Sequence, residues 1–130
     1  MSEKEEVVRA FYDARARHEH EALRPLVTED VVFHESGAES YSGDYAGADA
    51  LIDHFDRLLE QTKGTFTLEP TDVIETEDYA AARISWFAER AGVRSDGLEL
   101  AIFRFRDRKI AEVSFFQDTY DLDKLRQVFG

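Results

Sequence analysis

Hydrophobic periodicity in this chain changes in character just after Thr62, and that change constrains the fold more than any other feature. Before it the apolar residues recur mainly at helical spacing, whereas from Thr65 a run of segments alternates as in strands. Val7, Val8, Phe11 and Ala14, with Tyr12 beside them, form one stripe opposite a charged face. Leu51, Ile52, Phe55, Leu58 and Leu59 form a stronger stripe over residues 48–62, and Gly64 stands where a left-handed residue closes such a helix. A second short helix is expected around Ala22, Leu23, Leu26 and Val27, with Pro25 in its first turn, and then a strand over 31–34. The three glycines between Gly37 and Gly47 mark a loop.

The second part reads as a run of strands. Residues 65–69 and 72–75 make one strand interrupted at Pro70, and residues 79–90 make a long one. Ser95-Asp96-Gly97 is the expected turn into the next strand, 98–105, and Arg106 to Lys109 turns the chain into the last, 110–116. If the latter turn needs a positive φ, Arg108 would bear its cost. A final helix is expected from about Leu122 to Val128.

Helices followed by consecutive antiparallel strands predict a single α+β domain over residues 1–130, a cone-shaped curved sheet with helices on one face. The hollow between helices and sheet suits a small-molecule ligand. With 43% hydrophobic residues, 10 Phe and 5 Tyr, the composition is that of a globular protein. The absence of cysteine excludes disulfides, thiolate catalysis and Cys-based zinc sites. A net charge of −12 argues against nucleic-acid and anionic membrane partners. No apolar stretch approaches the ~18 residues of a membrane helix. The charged start has no signal-peptide core, so a cytoplasmic protein is expected.

The candidate chemistry is acid–base. Asp118 follows the last strand at the mouth of the expected hollow, where a carboxylate shielded from water can exchange protons near neutrality. The competing role for Asp118, with Asp121 and Asp123, is to complement the dipole of the final helix. His34, on a Val-Val-Phe strand, must find a buried partner or line a cavity, and its imidazole titrates near neutrality. Tyr12 is either a donor to a developing oxyanion or a core aromatic. Phe55, Trp86, Phe103 and Phe116 are expected to wall an apolar pocket. Strand aromatics are too numerous for one cavity, which predicts a homodimer through the outer sheet face, and Arg83, Ser85 and Glu99 are assigned to that interface ahead of the cavity. His18 and His20, two apart, do not face one another, and His54 is placed at the solvent edge of its helix, so neither a metal nor a cofactor is expected.

Three stretches carry a family likeness: Val31-Val-Phe-His-Glu-Ser-Gly37, Tyr41-Ser-Gly-Asp-Tyr-Ala-Gly-Ala-Asp-Ala-Leu-Ile-Asp-His-Phe55, and Phe103-Arg-Phe-Arg-Asp-Arg-Lys-Ile-Ala-Glu-Val-Ser-Phe-Phe-Gln-Asp118. With the Phe11-Tyr12 helix they cover nearly the whole chain, which resembles the SnoaL-like branch of the nuclear transport factor 2-like superfamily. The resemblance implies the α+β cone and a scaffold that hosts ketosteroid isomerases, epoxide hydrolases, polyketide cyclases and non-catalytic binders. It puts Asp118 at the cyclases' acid/base aspartate and either His34 or Glu35 at the isomerases' general base. Tyr12 lies near the isomerases' oxyanion tyrosine, while Ala101 takes the place of their second acidic donor. The expected function is cofactor-independent acid/base catalysis of isomerase, cyclase or hydratase/hydrolase type on a small, largely apolar, oxygen-bearing molecule bound in the conical cavity. The alternative is a non-catalytic binding or dimerisation module.

Overall fold

The computed structural model describes residues 2–36, 41–117 and 127–128. Helix α1 (Glu3–Ala16) begins at Ser2, whose hydroxyl accepts from the Glu5 amide, and Glu3, Glu5 and Glu6 complement the dipole of its first turn. A 3₁₀ segment (His20–Leu26) takes the place of the expected second α-helix. Pro25 lies inside it and offers no amide to continue an α-helical ladder. Strand β1 (Val27–Glu35) starts four residues before the expected strand, and the glycine-rich stretch read as loop contributes a short β2 (Gly43–Ala46). Helix α2 (Ala48–Gln61) is followed, as expected, by a left-handed Gly64 at φ +79°, with Lys63 also left-handed at 52°.

Strands β3 (Thr67–Glu75), β4 (Tyr79–Arg90), β5 (Val93–Arg106) and β6 (Lys109–Gln117) follow. β3 is continuous, and the irregularity expected at Pro70 is a register shift between Pro70 and Asp72. Two turns differ from expectation. The chain reverses between β4 and β5 at Ala91–Gly92, both at positive φ, because such a two-residue turn matches the twist of the flanking strands. Ser95 to Gly97, the expected turn, is paired against Trp86 to Ala88 inside the ladder. In the β5–β6 turn Asp107, not Arg108, takes the positive φ (59°), a conformation its short polar side chain tolerates.

The curved six-stranded sheet has the order β2-β1-β6-β5-β4-β3. Its pairs are antiparallel apart from β1 with β6, a departure from an all-antiparallel sheet. After β1 and β2 the chain crosses through α2 to the far edge at β3, and β6 then returns to the centre beside β1. Both helices lie on one face, α1 against β3 and β4 and α2 against β1. The core lies between them. Phe11 of α1 meets Tyr12, Phe55 and Phe103 edge-on, with ring centroids 5.3, 5.9 and 5.4 Å away. Residues 127–128 are helical, while the rest of the expected final helix lies outside the described residues. Among the described residues no helix is long and apolar enough to cross a membrane.

Candidate active site

Strand alternation decides which polar side chains enter the core. On β1 the buried positions are Val31, Phe33 and Glu35, so Val32 and His34 face the other side of the sheet. Glu35 is therefore the inward residue of the pair between which the family likeness did not choose. On β5 Glu99 shares the inward face with Ala101 and Phe103. It is 2% exposed, in the core and not on the outer face to which the interface reading assigned it.

Glu99 collects three donors. The Tyr12 hydroxyl donates to its Oε2 at 2.7 Å, Arg15 Nη1 approaches the same oxygen at 3.4 Å, and Gln117 Nε2 donates to Oε1 at 3.3 Å. Both Arg15 and Glu99 are almost fully buried, which is tolerable for charges only when they are paired. The Arg15 guanidinium also lies 3.9 Å over the Phe55 ring. Burial, reinforced by the Glu99 charge, raises the Tyr12 pKa well above that of an ordinary phenol, so the hydroxyl keeps its proton and remains a donor.

Glu35 has its own partner. His54 Nε2 lies 3.1 Å from Glu35 Oε1, and the histidine is 1% exposed, not at the solvent edge of α2. Burial, with the positive charges of Arg15 and Arg57 adding to it, lowers the His54 pKa to about 3. The imidazole is therefore neutral at physiological pH, and the contact is a hydrogen bond from Nε2–H to the carboxylate, not an ion pair. Phe33, Tyr45 and Phe55 surround the ring, with centroids 5.3, 4.9 and 5.5 Å away.

A cavity lies between these two groups. Arg15, Glu35, Glu99 and Gln117 form its polar side; Tyr41, Leu58, Phe66 and Trp86 form the rest. Its volume is about 10 Å³, the room one water molecule takes. Two carboxylates, a guanidinium and an amide thus face one small space, a set able to hold a polar group and exchange protons with it.

The residues expected at the site separate into groups. Glu35 and Trp86 line the cavity. Tyr12 and Phe55 stand behind the lining, one bound to Glu99 and the other under Arg15. Phe103 is fully buried in the aromatic core against Phe11 and Tyr12. Phe116 is 40% exposed on the outer face, because it alternates with the inward Phe115. His34 is on that outer face too, with Nδ1 2.6 Å from Asp44 and Nε2 2.8 Å from Glu112. These carboxylates, Glu112 foremost, raise its pKa. The structure does not bring His34 and Tyr12 together. Asp118 lies outside the described residues. Of the other histidines, His18 meets the Phe66 carbonyl and His20 meets Asp56.

The sequence matches the model of the SnoaL-like domain over residues 8–113. The chain belongs to the SnoaL-like family. No curated protein matches it. Among solved structures it is similar to Bal32a from a soil-derived mobile gene cassette, at 26% identity and TM-score 0.89, over 98% of this chain and 97% of that one. A cystatin-like protein of unknown function from Xanthomonas campestris superposes with TM-score 0.87 at 22% identity, over 100% and 99% of the two chains. IdmH from Streptomyces antibioticus, for which polyketide cyclase activity has been suggested, superposes with TM-score 0.78 at 20% identity, over 95% and 99%. Below a quarter identity such likeness establishes a shared SnoaL-like fold and no more.

Proposed function

We propose that this protein is a cofactor-independent acid/base catalyst of the cyclase or isomerase type, acting on a small, largely apolar molecule with a carbonyl oxygen. The observation that carries the reading is the pair of buried carboxylates, Glu35 and Glu99, lining one cavity with Arg15. Glu35 takes a proton from a carbon next to the carbonyl, and the neutral His54 fixes its orientation from behind. The enolate so formed develops charge towards Arg15, while Tyr12 and Gln117 hold Glu99 in place. The proton returns at a second carbon from Glu35, or from Asp118 in its role as second acid/base group. His34, paired to Asp44 and Glu112 on the outer face, takes no part.

Exchange of the acidic C–H protons of 2-tetralone in deuterium oxide, followed by NMR, tests this directly. Catalysed exchange that falls by about 10²–10⁴ in Glu35→Gln supports the reading. Exchange that is equally fast in Glu35→Gln overturns it.

A second reading, a non-catalytic binding module, draws on the size of the cavity, which as folded admits about one water. We also infer a homodimer through the outer sheet face. Leu100, Ile102 and Phe116 are 44%, 38% and 40% exposed there, and Leu100 pairs directly with Phe116 across β5 and β6.

A further inference from the structure

On the polar wall, the side-chain carbonyl of Gln117 finds no donor among the described residues. This Oε1 is buried, although the same side chain lines the cavity. The amide cannot turn to relieve this. Its Nε2 donates to Glu99 Oε1 at 3.3 Å, and a flipped amide would set its oxygen against that carboxylate. The network through Glu99 therefore fixes the orientation of this carbonyl oxygen, on a residue that lines the cavity. A buried acceptor left unsatisfied is costly, which favours an occupant that brings a donor to it.

We propose that Gln117 is a specificity-determining residue, its side-chain carbonyl accepting a hydrogen bond from a hydroxyl or N–H group of the bound molecule. The inference rests on the proposed ligand cavity and narrows its occupant. The ligand class is a hydroxylated, largely apolar ring compound, a phenol or enol, whose hydroxyl takes the one-water space and donates to Gln117 Oε1 while its ring displaces the Trp86, Phe66 and Leu58 side chains that close the cavity. An ether of the same shape supplies no proton to that oxygen and leaves it orphaned. A site built around a donor discriminates against such analogues because its own polar group stays unpaired.

Trp86 is the chain's only tryptophan and lines the cavity, so its fluorescence reports occupancy. The probes are 4-ethylphenol and its methyl ether, 4-ethylanisole, titrated into the full chain. The phenol is expected to bind about tenfold more tightly than the ether, the usual worth of one neutral hydrogen bond. In Gln117→Met, which keeps length but removes the acceptor, the ratio should fall to near one. A purely structural role for Gln117 would weaken both probes alike and leave the ratio unchanged, which overturns the proposal. Equal binding of the two probes by the unaltered protein also overturns it, with no need for a variant to fold, while the ligand cavity stands. Failure of both probes to perturb Trp86 at millimolar concentration removes the cavity reading and this inference together.

Discussion

His54 on α2 and Glu35 at the end of β1 meet at 3.1 Å, each side chain about 2% exposed. Contact between a helix and a strand through two ionisable groups, sealed from water, makes both the position of the carboxylate and the acid stability of the fold depend on one neutral imidazole.

With its pKa at about 3 in the folded protein against an ordinary 6.5, His54 binds its proton more readily when the chain unfolds. Its contribution is therefore fully present above pH 6.5 and is lost as pH falls towards 3. Between pH 7 and pH 4 this should cost roughly 3 kcal/mol. Urea unfolding at several pH values checks it: His54→Gln should flatten the acid limb. An unchanged slope would show that other groups dominate.

His34 behaves in the opposite sense. Its raised pKa means that its stabilising contribution is full below pH 6.5 and disappears as pH rises through the folded value. Because its side chain is about a third exposed, the effect is screened and should stay below about 1 kcal/mol. His34→Gln should lower the melting temperature at pH 6 and leave it nearly unchanged at pH 9.

The Arg15–Glu99 pair offers a test of how buried charges act in this core. Glu99→Leu strands the guanidinium and should destabilise by about 3–5 kcal/mol. Adding Arg15→Met to that variant should recover part of the loss, since it removes the stranded charge while Tyr12 and Gln117 still lack their acceptor. Chemical denaturation of both singles and the double measures the coupling. Simple additivity would refute the account.

For the dimer, light scattering at micromolar concentration should give about twice 14.9 kDa. Phe116→Asp, which places a charge amid Leu100 and Ile102, should return it to the monomer mass. A monomer in the unaltered protein would sink the interface.

Much of this was legible in the sequence, and the rest failed for identifiable reasons. The stripe of α2 and the alternation of β3 to β6 are strong periodic signals, and both appear as helix and strands. His54 stands three residues after Leu51 and four before Leu58, on the spacing of the stripe itself. Its polarity concealed what its position declared. Parity carried the same information on the strands: Glu35 is in step with Val31 and Phe33, Glu99 with Ala101 and Phe103, and His34 with neither inward set. The Ala91–Gly92 turn was hidden because alanine at φ 52° is a conformation that propensity disfavours and hairpin twist imposes. The parallel β1–β6 pair depends on contacts some eighty residues apart, for which local pattern holds no signal.

That parallel pair also sets a timetable. β3 to β6 are successive hairpins able to zip from their turns, whereas β1 must wait for the last strand before it can dock. Glu35 is carried in on β1, opposite Phe115, so the cavity closes only after the rest of the sheet exists. Nascent chains would hold a β3–β5 platform, already carrying Glu99, with an open concavity that lacks Glu35 until β6 is made. Any occupant of the finished cavity acts after this step, slowing escape from the native state without hastening arrival at it.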